Sequence, residues 1–185
     1  EVDRIYYRDD PIVLTYNNVP MTATAMSTIR SGATLWNQLE EAGMTGIDEV
    51  TTIFPGIWFQ VVSIEQQYAG HSTQVGMQAM SLPAGSWEGR ITIIVDEDIN
   101  VYDLDEVLWA TVSRCDPSED MQLVENCVSS RINPRLSPEQ TASGDHTKSR
   151  LLFDATKPYH WKEEFPPDTK IDPELEANLR AEWAD

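Results

Sequence analysis

Apolar residues in this chain come in short unbroken runs, separated by stretches in which they recur every three or four positions. That alternation predicts strands followed by helices. It is clearest over 90–120, RITIIVDEDINVYDLDEVLWATVSRCDPSED. Residues 91–95 are a continuous, β-branched run, the pattern of a strand covered on both faces, and Asp96, Glu97 and Asp98 follow at once. Asp103 and Glu106 then stand at N-cap and N3 spacing before Leu104, Val107, Leu108, Thr111 and Cys115, which predicts a capping box and a helix over 103–114 with one apolar stripe. Strand, acidic turn and capped amphipathic helix make half of a βαβ unit.

The same reading covers the rest of the chain. Residues 1–8 (EVDRIYYR) read as a strand, paired through the Asp10-Pro11 turn with the apolar run 12–16. Residues 26–42 place Ile29, Ala33, Trp36 and Leu39 on one helical face, and Gly43 ends the helix. Residues 57–64 (IWFQVVSI) read as a central strand, and a turn over 68–71 feeds a helix over 72–82 carrying Val75, Met77, Ala79 and Met80. A strand at 121–127 precedes a loop of about 20 residues over 129–149, a last strand at 151–153 and Asp154. The segment PYHWKEEFPPD reads as irregular, and Asp172-Pro173 starts a terminal helix with Leu175, Leu179 and Trp183 along one side. Strands alternating with helices predict an α/β fold: a mostly parallel sheet flanked by helices in three layers, with an extended C-terminal arm and a terminal helix. The expected division is a strand pair over 1–24 that continues from a preceding portion, an α/β domain over 25–157, and an arm and helix over 158–185.

Composition narrows the function. With 185 residues and 41% hydrophobic content the chain can bury one substantial core. A formal charge of −18, with all four lysines (Lys148, Lys157, Lys162, Lys170) in the last quarter, sets it against nucleic acid and anionic membrane. Cys115 and Cys127 do not form a CxxC pair and no Cys/His cluster completes a zinc site, so two reduced thiols in a cytoplasmic protein are expected. No run approaches the roughly 20 apolar residues of a membrane span. The chain starts on Glu1 in a strand-like segment, and the expectation is the C-terminal part of a longer protein.

Few residues invite chemistry. Carboxylates at a strand end such as Asp96, Glu97 and Asp98 can hold a divalent metal, but an acidic turn before a helix also complements the helix dipole, and the structural role is preferred. A phosphorelay receiver would need a Lys-ending strand after an acceptor such as Asp154, and the remaining residues contain none. His71 follows a glycine in a turn, His146 sits in the polar loop and His160 lies between Tyr159 and Trp161, so each reads as structural or surface. No Ser/His/Asp set, GxGxxG or P-loop is present. No catalytic residue and no metal ligand is assigned.

Taken together, four segments resemble the C-terminal half of the UbiD-type decarboxylases, which use prenylated FMN. They are VDRIYYRDDPI, FQVVSIEQQYAGHSTQVG, the stretch from Ile91 ending RCDPSED, and KSRLLFDATK, in the family's order and over most of the chain. The resemblance implies a parent enzyme that reversibly and non-oxidatively decarboxylates an aromatic or α,β-unsaturated carboxylic acid, with the modified flavin as electron sink. It also implies a Glu-Arg-Glu set, a divalent metal (manganese or magnesium) and potassium on a missing N-terminal flavin-binding portion, so Glu1 takes no catalytic role and the chain alone is expected to be inactive and to bind no cofactor. By position, the family's substrate side falls on Met26 and Ser27, on Ser86 and Trp87 in the turn before 91, and on Ser130 and Ile132. Some relatives carry a Lys near the flavin phosphate in that turn; Leu82-Pro83-Ala84-Gly85 has none. The expected partners are the N-terminal portion, further copies in a homo-oligomer and the small carboxylic acid. The competing reading is a non-catalytic oligomerisation or scaffold module that only inherited the fold.

Overall fold

The run 91–95 lies where its composition requires, at the centre of a five-stranded sheet with helices against both faces. The computed structural model describes residues 2–12, 23–52, 59–131, 133–167 and 172–183. In chain order the elements are α1 (Ala23–Glu41), β1 (Ile47–Thr52), β2 (Phe59–Ile64), α2 (His71–Ser81), α3 (Pro83–Glu88), β3 (Ile91–Asp96), α4 (Leu104–Arg114), β4 (Met121–Val128), α5 (Pro138–Ser143), β5 (Thr147–Ala155) and α6 (Pro173–Glu182), with a 3-10 helix over Tyr159–Glu164. The strand order is β1-β2-β3-β5-β4: β2, β3 and β5 are parallel, and the edge strands β1 and β4 run antiparallel to their neighbours.

Alternate residues of the parallel strands feed two cores. Val62 and Ile64 of β2, Ile94 of β3 and Leu152 of β5 meet Leu35 and Leu39 of α1 and Val75, Ala79 and Met80 of α2. On the other face Val61, Ile93, Val95 and Ala155 meet Val107 and Ala110 of α4, with Ile99 and Val101 from the preceding turn. This two-sided burial is why β3 is apolar at successive positions. The predicted three-layer α/β class is the one observed.

α1 ends as Gly43 requires: Gly43 has φ 85°, its N–H donates to Glu40 and the Met44 N–H reaches back to Leu39. Its inward face, however, is rotated from the predicted one. Ser31, Gly32, Leu35 and Leu39 are buried, whereas Ile29 is 73% exposed and Ala33 faces outward. The cause is Gly32, where the helix lies so close to β1 that an added Cβ would stand 2.6 Å from the Val50 carbonyl oxygen. α4 departs in a similar way. Val107, Ala110 and Arg114 are its buried residues, and Leu104 and Leu108 lie half exposed on the outer side with Val112. Its cap forms at Asp103, whose Oδ1 accepts from the Asp105 and Glu106 amides, but Glu106 turns back to the Asn100 N–H rather than closing the box.

Several elements lacked a periodic signal. β1 (IDEVTT) carries two acids and is buried only at Val50, Thr51 and Thr52, under α1. α3 occupies the predicted turn before β3, started by Pro83 at its first helical position. The predicted loop over 129–149 holds α5, which has no buried residue and rests on a Ser137/Gln140 capping box, and β5 begins already at Thr147. The segment expected to be irregular contains the 3-10 helix, interrupted at Trp161 with φ −139°. Residues 2–8 form no strand: their apolar members Val2, Ile5, Tyr6 and Tyr7 are exposed, and 13–16, most of the run proposed to pair with them, lies outside the described residues.

If Gly32 sets the seat of α1, Gly32→Val should lower the unfolding free energy of the chain in urea by about 2 kcal/mol or more, and Ile29→Ala should change it by less than about 0.5. The reverse order would place the packing face on 29 and 33.

Candidate functional site

The parallel strands present two ends, and their chemistry differs. At the carboxyl end β3 stops at Asp96, which is 1% exposed. Its carboxylate accepts hydrogen bonds from the Lys157 amide at 2.6 Å, the Gln66 Nε2 at 2.6 Å and the Arg114 Nη1 at 3.3 Å. Arg114, brought from the last turn of α4, also grips Asp98 through both terminal nitrogens at 2.9 Å, and the Lys157 Nζ reaches the same carboxylate at 2.5 Å. The guanidinium lies over the rings of Trp109 and Phe165, at 5.2 and 5.9 Å. Lys162 pairs with Glu97 at 3.4 Å. The acidic turn therefore supports the structure, tying β3, α4 and the segment after β5 together.

The two aspartates titrate in opposite senses. Burial raises the Asp96 carboxyl, against the hydrogen bonds from Lys157 and Gln66 and the charges of Lys162 and Arg114. Burial also pushes Asp98 upward, but hydrogen bonds and charge from Arg114 and Lys157 outweigh it and hold the carboxyl at about 2. Beside this cluster, a crevice of about 470 Å³ opens between the start of α2, the end of α4 and the 3-10 helix. Asp116, Glu119, Asp120 and Asp154 give its lining an acidic character. Asp154 is already engaged, accepting from the Ser72 hydroxyl and from the Thr156 amide and hydroxyl. Burial and the carboxylates of Asp120, Asp154 and Asp116 push the Cys115 thiol up to about 11, which leaves it protonated and unreactive at neutral pH. His71 is buried against Tyr68, accepts from the Gln67 amide and is pulled below its ordinary pKa by burial, as suits a structural, neutral imidazole.

At the amino end, one side chain missed by the sequence reading organises the surroundings. Arg150, near the start of β5, is 5% exposed. Its Nη1 donates to the carbonyls of Gly85 and Gly89 at 2.9 and 2.8 Å, and its Nη2 donates to those of Ser86 and Val128. Burial pulls this guanidinium below its ordinary pKa, and the nearby Cys127 thiol works the other way. Arg90 donates to Asn133, which donates to the Ser129 hydroxyl at 2.8 Å. Trp87, Arg90, Val128, Ser129 and Lys148 border a notch about 10 Å³ in volume.

Of the six substrate-side positions, Trp87 borders this notch, the Ser86 carbonyl bonds to Arg150, and Ser130 follows the strand end whose Val128 carbonyl bonds to the same guanidinium. Ser86 and Trp87 lie in α3 rather than in a turn; Trp87 is 59% exposed and Ser130 is buried. Met26 and Ser27 fall near the start of α1, where side chains lie outside the described residues, and Ile132 lies outside them altogether. The only sequence signal for Arg150 is a cation two residues after Lys148 in the polar first half of β5 (TKSRLLFDA), which is easily read as an outward-facing residue.

A phosphate-bearing flavin held through cations does not fit the described residues. The crevice lining is acidic and its two cations, Arg114 and Lys157, are committed to Asp96 and Asp98. At the notch Arg150 is occupied by four carbonyls, Arg90 donates to Asn133 and Lys148 to Gln140, and the space is that of a single water. Among the described residues no three His, Cys, Asp or Glu side chains gather as a metal-binding group, and no helix is long and apolar enough to cross a membrane. No step of flavin chemistry is therefore assigned to these side chains.

Residues 24–155 match the family described as 3-octaprenyl-4-hydroxybenzoate carboxy-lyase C-terminal domain. Over 160 residues the chain is 30% identical to the phenolic acid decarboxylase of Sedimentibacter hydroxybenzoicus and 28% identical to that of Bacillus subtilis (strain 168), covering 85% of this chain but 32% and 33% of those proteins. It thus spans about a third of the length of these curated relatives. The fold is also that of the vanillic acid decarboxylase of Sedimentibacter hydroxybenzoicus in open form, with a TM-score of 0.71 at 24% identity over 92% of this chain and 36% of the other. The UbiD-class enzyme HmfF from Pelotomaculum thermopropionicum in complex with FMN gives 0.72 at 24% identity, over 87% and 34%.

Asp98 makes a prediction about acid. A carboxyl whose folded pKa lies below its ordinary 3.8 contributes stability above that value and loses it as pH falls towards about 2. The raised Asp96 acts in the opposite sense, its contribution lost as pH rises through its folded value. Unfolding free energy should therefore fall by about 1–2 kcal/mol over that interval through Asp98, after allowance for solvent screening. Asp98→Asn should reduce the slope; an unchanged slope in urea titrations would show that the Arg114 and Lys157 pairing carries no net stability.

Proposed function

The chain belongs to the 3-octaprenyl-4-hydroxybenzoate carboxy-lyase (UbiD) family, by its match to that family's C-terminal domain, and we propose that it is the C-terminal, cleft-closing and oligomer-forming part of a reversible, non-oxidative decarboxylase. The substrate is an aromatic or α,β-unsaturated carboxylic acid, and phenolic acids come first because the curated relatives are phenolic acid decarboxylases. One observation supports a substrate-facing end here: the carbonyls of Ser86 and Val128, distant in sequence, meet on Arg150, which sets Ser86 and Trp87 beside the strand end that Ser130 follows. An exposed indole there offers a flat apolar surface for an aromatic ring. Prenylated FMN, its divalent metal (manganese or magnesium) and potassium belong, on this reading, to a portion outside these residues, since neither sheet end here suits a flavin phosphate. The outer side of α4 supports an assembly role: Leu104, Leu108 and Val112 recur at helical spacing there, Val112 being 80% exposed.

Whole protein loaded with prenylated FMN should release CO₂ from at least one of 4-hydroxybenzoate, vanillate, 3,4-dihydroxybenzoate and cinnamate, while the 185-residue chain alone should release none and show no flavin absorbance. Loaded whole protein inert towards all four, or flavin absorbance co-purifying with the short chain, would overturn the reading.

A further inference from the structure

The Arg150 guanidinium has four hydrogens on its two terminal nitrogens, and the structure gives them four carbonyl partners. Three of the carbonyls, at Gly85, Ser86 and Gly89, belong to α3 and its C-cap, and the fourth, at Val128, ends β4. A single planar cation therefore spans two segments that no backbone ladder joins. The α3 side is constrained from behind as well. A Cβ at Gly85 would stand 1.8 Å from the Ala79 carbonyl oxygen, and one at Gly89 would stand 2.4 Å from the Gln60 side-chain amide. Gln60 is itself fixed, fully buried and bonded to the Thr92 hydroxyl at 2.8 Å. α3 is thus pressed between α2 and Gln60 on one side and drawn to Arg150 on the other, so Trp87, next to the bonded Ser86 carbonyl, has little freedom of position. At the far side of the clamp, the Ser129 amide bonds to the His146 carbonyl at 2.9 Å, which holds the strand end on which Ser130 follows.

We propose that Arg150 is a positioning residue that fixes the spacing between the Ser86–Trp87 wall and the Val128–Ser130 wall of the substrate side. The proposal rests on the reading of those walls given above. Arg150 acts through these contacts and not on the substrate; its carbonyl partners consume the four donors of its terminal nitrogens. Lysine cannot replace it, because three donors on one tetrahedral nitrogen cannot reach four carbonyls in a planar fork.

The test uses whole protein carrying Arg150→Lys, with hydrogen exchange read at amides that are bonded in both segments, Ser86 and Gly89 on one side and Ser129 and Asn133 on the other. Both sets should exchange at least about tenfold faster while the α4 amides stay unchanged. Acceleration of one set alone, or of neither, overturns the clamp. With 4-hydroxybenzoate, KM should rise about tenfold while kcat stays within about threefold, the split expected when the walls are misplaced and the reacting groups are not. A loss confined to kcat, or unchanged kinetics, overturns the positioning role. If the unmodified protein decarboxylates none of the four acids the functional reading fails, and exchange still decides the clamp. If Arg150→Lys does not fold, Arg150→Gln, whose single side-chain amide can reach only part of the carbonyl set, should accelerate exchange on both sides; unchanged rates on either side would equally overturn the clamp.

Discussion

A strand buried on both faces has to end somewhere, and β3 ends on a carboxylate that is itself buried. Asp96 is tolerable there only because an amide, a side-chain amide and a guanidinium converge on it, and because Arg114 is in turn balanced by Asp98. Removing one partner would leave an uncompensated charge among apolar side chains. The end of α4, the turn after β3 and the segment after β5 therefore share one arrangement, and the crevice beside them inherits its shape from it.

The opposite end of the sheet uses a different device. Arg150 is a buried cation whose partners are carbonyls, and it draws together backbone that the sheet does not connect. The two ends lie about 17 Å apart along β3, by the rise of a strand over its six residues. Charge is balanced by carboxylates at one end and by backbone dipoles at the other. The acidic end is a closed structural junction with its cations spoken for, whereas the Arg150 end presents an exposed indole on a rigid support.

Much of this was legible in the residues. The 91–95 run, the Asp103 cap, the Gly43 stop and the order of the elements from β2 through α2, β3 and α4 to β4 follow from periodicity and turn chemistry, and the acidic turn is bonded within the fold by Arg114, Lys157 and Lys162. What escaped has physical causes. The inward face of α1 is set by Gly32, a residue that contributes no apolar signal but permits the closest approach to β1. α5 forms from its caps without a stripe, and β1 is held by α1 rather than by its own composition. At the candidate site, Ser86, Trp87 and Ser130 came from the family resemblance, and position alone could not show that one arginine in a later strand gathers two of their segments. Long-range bonds to carbonyls leave no motif.

The central claim is that the Arg150 end, and not the acidic crevice, faces the substrate. The most direct measurement is a crystal structure of the whole protein with an unreactive aromatic carboxylate bound. The ring is expected in van der Waals contact with Ser86 or Trp87; a ring seated in the crevice beside Asp154 would contradict it.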